Sequence, residues 1–181
     1  MKDDNMISEQ KLKGICEEYN INFENLIKTN QNILGLGNYA EIRKVLDYLR
    51  DNLKINPSNI EKCPSILYRN VFNIERNYEF LKEKNIHIKN VESCLHVLSS
   101  EPEELKEMFE YVKENYGIKS LENNTSILAV STDIIESVED LNINFKNKNC
   151  NLTIAVGIEF GNTNLENVKA ILSSQEYKEH P

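Results

Sequence analysis

The chain has 181 residues, 40% of them apolar and 28% charged, with 21 basic and 29 acidic side chains and a formal net charge of -8. So much apolar material supplies a core and excludes a disordered chain. No apolar run reaches the roughly 18 residues of a membrane span, and the negative balance excludes a protein that coats phosphates over its whole surface.

The opening Met1-Lys2-Asp3-Asp4-Asn5 is acidic with no apolar stretch behind it, so no signal peptide is expected and the expected location is cytoplasmic. The first helix is expected from about Ser8 to Tyr19. Leu12, Ile15, Cys16 and Tyr19 form its stripe, with Glu17 and Glu18 on the wet flank. It reads as an N-terminal cap over residues 1–20.

Beyond it the chain repeats. An Ile/Val-Leu pair recurs as Ile33-Leu34, Ile66-Leu67, Val97-Leu98 and Ile127-Leu128, at steps of 33, 31 and 30 residues. A short apolar-spaced segment precedes each pair: Ile21 with Leu26, Ile55 with Ile60, Ile86 with Val91, Ile118 with Leu121. A longer helical stripe follows each. The stripes are Ile42, Val45, Leu46 and Leu49; then Ile74, Tyr78 and Leu81; then Leu105, Met108, Phe109 and Val112; then Ile134, Ile135, Val138 and Leu141. Pro57 and Pro102 fall where helices should start, Ser100 or Glu101 and Asp133 are candidate caps, and Gly117 is a candidate stop.

The expected unit is a short helix, a turn carrying the Ile-Leu pair, and a longer helix. One unit cannot bury both its stripes alone, so stacking is required. The predicted fold is all-α, a helical-repeat solenoid of about four to five helix-pair units in a single domain. Residues 21–141 form four repeats of 30–34 residues, 142–174 a degenerate unit and 175–181 a tail. Within the 142–174 stretch, 151–160 suits a buried helix or a strand, which periodicity cannot separate; the helical stripe of Leu165, Val168 and Leu172 favours a degenerate fifth unit.

The stretch Cys63-Pro64-Ser65-Ile66-Leu67, followed by Asn77-Tyr78-Glu79-Phe80-Leu81-Lys82-Glu83-Lys84-Asn85-Ile86, resembles the repeat of the mitochondrial transcription termination factor family. That repeat runs as a Pro-x-x-Leu turn, a helix ending in Phe-Leu and a Gly-hydrophobic step. Asn85 stands in the Gly position, and Gly117-Ile118 restores it one unit later. The resemblance covers about residues 21–141. It implies a curved all-helical array that binds nucleic acid on a basic concave face.

Charge is distributed unevenly. Residues 43–89 hold ten basic and six acidic side chains, whereas residues 90–141 hold three basic and twelve acidic ones. Arg43 and Arg76 each lie ten positions after the Ile of their pair and are equivalent in consecutive units. With Arg50, Arg69 and Lys82 they form a candidate nucleic-acid stripe. The alternative is a solvated face with local pairs such as Arg43–Asp47, Asp47–Arg50, Asp51–Lys54 and Arg76–Glu79. The acidic half offers Glu103, Glu104, Glu107, Glu110, Glu114, Asp133, Glu136 and Asp140 to a basic partner.

Chemistry finds little to stand on. His87, His96 and His180 have no contextual nucleophile, and Gly35-Leu36-Gly37 lacks the strand and the Gly-Lys-Ser/Thr of a phosphate loop. Cys16, Cys63, Cys94 and Cys150 are too scattered for a zinc knuckle and read as buried free thiols of a reducing compartment. No metal, cofactor or catalytic residue is expected. The expected role is a non-catalytic regulator or inhibitor whose acidic face binds another protein. That partner would be a nucleic-acid-handling complex of the kind a phage or mobile element blocks. Nucleic-acid binding through the stripe on the first two repeats is the alternative.

Overall fold

The computed structural model describes residues 2–86, 91–140, 149–159, 161 and 163–173. These are all-helical, with no strand among the described residues. No helix among them is long and apolar enough to cross a membrane. The chain divides into two compact units, Met1–Glu104 and Leu105–Pro181.

In the first unit, α1 (Lys2–Glu18) is followed by α2 (Phe23–Thr29), a 3-10 turn (Gln31–Gly35) and α3 (Tyr39–Asp47), which runs on into a π turn (Tyr48–Asn52). Next come α4 (Pro57–Lys62), a 3-10 turn (Pro64–Tyr68), α5 (Val71–Glu83) and α6 (Val91–Leu98). The long α1, α3 and α5 are successive neighbours, as are the short α2, α4 and α6. Their seams bury Leu12, Leu26, Ile33, Leu46, Leu49, Ile66, Ile74, Leu81 and Leu95 almost completely. Each such side chain contributes about 1.5–3 kcal/mol by leaving water.

Local chemistry explains where these elements start. Asn22, Asn30, Asn38, Asn56 and Asn70 each stand at an N-cap, and each Oδ1 accepts a backbone N–H of the first turn. Pro57, Pro64 and Pro102 occupy first helical positions, where a missing donor costs nothing. Five of the chain's 26 asparagines are thus employed as helix caps.

The stops are equally regular. Asn20, Lys54 and Asn85 have φ of 57°, 55° and 56°, and Gly117 has φ of 83°. Each left-handed residue precedes an isoleucine. Ile21 N–H bonds to Cys16 O at 2.8 Å and Ile86 N–H to Leu81 O at 2.9 Å, the six-to-one closure of a Schellman stop. The π turn adds a residue, so Ile55 N–H reaches Leu49 O at 2.9 Å. Asn85 therefore takes the left-handed conformation that Gly117 also takes.

The second unit holds most of α7 (Pro102–Tyr116), α8 (Ile118–Asn123), a 3-10 turn (Thr125–Ala129), α9 (Thr132–Glu139), α10 (Asn149–Glu159) and α11 (Leu165–Ser173). Leu105, Phe109, Val112, Leu121, Ile127, Ile135, Val138 and Ala155 are buried, and α10 lies against α9 and the preceding 3-10 turn.

Several expectations are corrected in detail. The first helix begins at Lys2, ahead of Ser8. The pairs at 33, 66 and 127 sit in 3-10 turns, but Val97-Leu98 closes α6 itself. Asn30, Pro64 and Asn124 break the chain ahead of the other pairs, while Leu95-His96 lets the helix run on. Asp133 does not cap α9; Ser131 stands at that position without a side-chain cap bond, and its own N–H is held by Glu159. The segment left open between helix and strand is helical through Glu159. His87, Leu141, the 175–181 tail and His180 lie outside the described residues, as do the side chains of Cys94 and Cys150.

Candidate functional site

The basic stripe is real in sequence but occupied in space. Arg43, on α3, pairs with Glu18 of α1, a more distant acid than Asp47 at helical spacing. Arg50 holds Asp47 at 2.8 Å and Asp51 at 2.7 Å, and lies 4.9 Å from the Tyr19 ring centre. Its hydrogen bonds lower the Asp51 pKa below the usual carboxylate range. Arg69 reaches Glu101 at 2.7 Å, Arg76 reaches Glu103 at 2.9 Å, and Lys82 reaches Glu79 at 3.2 Å.

The Arg69–Glu101 contact belongs to a clasp. Asn73 Nδ2 joins Arg69 on Glu101, at 3.1 Å. The fully buried Asn77 donates through Nδ2 to Leu98 O at 3.1 Å and Ser100 O at 2.8 Å. The start of α5 thereby grips the turn between α6 and α7, and meets carbonyls that the end of α6 leaves open. Asn77 Oδ1 is itself buried without a partner, as is Arg69 Nε.

The acids behave differently. Along α7, Glu107, Glu110 and Glu114 follow at helical spacing opposite the buried Leu105, Met108, Phe109 and Val112. On α9, Asp133, Glu136 and Asp140 are exposed opposite the buried Ile135 and Val138. Tyr111 joins the two helices: burial raises its pKa first, then the charges of Glu139 and Glu136. Tyr116 Oη donates to Glu139, and burial and that bond together push its pKa up. Lys113 pairs with Glu110 at 2.8 Å, and Glu103 belongs to Arg76. Among the described residues, Glu104, Glu107, Glu114, Asp133, Glu136 and Asp140 are exposed and form no ion pair. Tyr111 and Tyr116 were not among the residues expected at this face. The signal was available, since Tyr111 lies four after Glu107 and three before Glu114.

Elsewhere, His96 Nδ1 lies 3.3 Å from Cys63 Sγ, with Ser65 Oγ at 3.3 Å from the same sulfur. Burial pushes the Cys63 pKa up, the reverse of what an activated thiolate requires. Cys16 is buried too, and burial with the charge of Glu61 pushes it up to about 11. Among the described residues no group of three or more His, Cys, Asp or Glu side chains could hold a metal ion.

No protein-family model matches the chain, no curated protein matches it, and no solved structure matches it.

Proposed function

We propose that the chain is a non-catalytic, helical-repeat binding protein whose acidic α7–α9 face takes up a basic segment of a partner protein. The regulator or inhibitor role expected from the sequence follows from such binding. The alternation of long and short helices in the first unit supports the repeat reading. The free buried thiols of Cys16 and Cys63 fit a reducing compartment such as the cytoplasm.

The observation that carries the functional reading is the contrast in charge pairing. Each arginine of the stripe already has a carboxylate, whereas most acids of the α7–α9 face have no cation among the described residues. A bound lysine or arginine would gain carboxylates without displacing anything. A phosphate would have to compete with Glu18, Asp47, Asp51, Glu101 and Glu103, which leaves nucleic-acid binding as the weaker reading. Tyr111, half-buried beside Glu136 and Glu139, adds a ring face on which a guanidinium or ammonium can rest.

The test is the affinity of a fluorescein-labelled Lys/Arg-rich peptide, read by anisotropy at about 50 mM and about 200 mM salt. A Glu107→Gln, Glu114→Gln, Glu136→Gln variant is compared with an equally discharged control, Glu9→Gln, Glu24→Gln, Glu75→Gln. The α7–α9 variant is expected to bind on the order of tenfold more weakly than the control. Equal loss in both would mean that binding tracks net charge and that no site exists.

A further inference from the structure

The two aromatic side chains most open to water among the described residues, Phe72 at 59% and Tyr68 at 40%, stand four apart where the chain enters α5. Beside them lies a groove of about 200 Å³, lined among others by Leu36, Asn38, Glu41, Tyr68, Arg69 and Asn70. It separates the linker ahead of α3 from the turn ahead of α5, and it belongs wholly to the first unit. One repeat later the corresponding seam is closed by the clasp of Arg69, Asn73 and Asn77. At the groove, Leu36, Glu41 and Val45 hold the matching positions, so no such clasp can form.

Asn38 and Asn70 are equivalent N-caps. Each spends its Oδ1 on a helix N–H, Glu41 at 3.2 Å and Phe72 at 2.8 Å. Each therefore keeps an Nδ2 that no described residue accepts from. Glu41 places a carboxylate in the same lining, with one oxygen held by Lys44 at 3.1 Å. Two amide donors and one acceptor across a shallow slot complement the alternating C=O and N–H of an extended chain. The volume is below the about 300–1,000 Å³ of a small-molecule site and suits one side chain. Charge disfavours a polyanion, because Glu41 lines the groove and Glu101 already sits on Arg69.

We propose that this groove binds the main chain of an extended, uncharged peptide segment of a partner protein, with one apolar side chain of that segment resting against Tyr68. The inference does not rest on the acidic face of α7 and α9.

The experiment selects linear twelve-residue peptides from a phage-displayed random library on the immobilised full chain, then measures a synthetic selected peptide by fluorescence anisotropy. Asn38→Asp and Asn70→Asp keep the capping oxygen but remove the donor, so the fold survives. The double variant is expected to lose at least about tenfold in affinity, and Tyr68→Ala with Phe72→Ala a similar factor. The E107Q/E114Q/E136Q variant should bind the peptide unchanged. The proposal is overturned by peptides that enrich no better than on an unrelated protein, or that bind the Asn and Tyr variants normally. It is equally overturned if an oligo(U) or oligo(dT) probe outcompetes the peptide, or if sedimentation shows a dimer that Tyr68→Ala dissolves.

Discussion

The first unit spends its charge on itself, and the second leaves its charge outstanding. Arg43, Arg69 and Arg76 are matched to acids 25 to 32 residues away, and Arg50 to its neighbours Asp47 and Asp51. The α7–α9 acids of the second unit face three lysines over residues 105–140, against eight acidic side chains. Net charge alone does not distinguish paired from unpaired charge. A basic stretch counts as a binding surface only when its cations lack partners, and that is decided by tertiary contacts.

The largest effect that would sharpen this contrast is on binding: neutralising Glu107, Glu114 and Glu136 should weaken a basic ligand about tenfold while urea stability stays within about 0.5 kcal/mol. Next is the clasp. Asn77→Ala strips the buried Leu98 carbonyl and the half-buried Ser100 carbonyl of their donor and should cost about 1–3 kcal/mol in urea unfolding. A smaller loss would mean that water replaces the amide.

Alkaline pH tests the packing of the first unit. Burial pushes Cys16 from 9.0 to about 11, and pushes Tyr48, with help from Glu75 and Glu79, from 10.0 to about 12. Both groups hold their proton more tightly when folded. Their contribution is complete below about pH 9 and should drain away as pH rises through about 11 and 12. Urea midpoints from pH 8 to 12 should fall, and Cys16→Ala should flatten the slope between 9 and 11. The smallest effect is expected from the stripe itself. Arg76→Met breaks one exposed pair and should change stability by under about 1 kcal/mol. A larger loss would promote the Arg76–Glu103 contact from a surface pair to a structural one.

Much of the helical order was legible because side-chain periodicity is local. The stripes of α1, α3 and α7 are buried where spacing placed them, those of α5 and α9 in part, with Tyr78 and Ile134 only half-buried, and Pro57, Pro102 and Gly117 punctuate as expected. The asparagine caps were hidden by composition: in so Asn-rich a chain no single Asn stands out, although Asn38 and Asn70 each sit just before a stripe. Arginine partners were illegible for another reason. Glu18, Glu101 and Glu103 are remote in sequence, so helical spacing found the Asp47–Arg50 pair but offered Arg43 and Arg76 nearer acids that the fold does not use. Tyr111 was passed over because an aromatic on an amphipathic helix reads first as core.

The left-handed residues at 20, 54, 85 and 117 have a consequence for how such a chain could change length. At 20, 54 and 85 a helix stops and the next residue is a buried isoleucine that re-enters the interior, whereas Ile118 after Gly117 stays exposed. A cassette of some thirty residues cut at two of these joints would carry its own start and finish signals. Growth or loss by whole cassettes is therefore the change this chain tolerates with least new chemistry, and Lys54, without the ease of Gly or Asn in that conformation, is the joint under most strain.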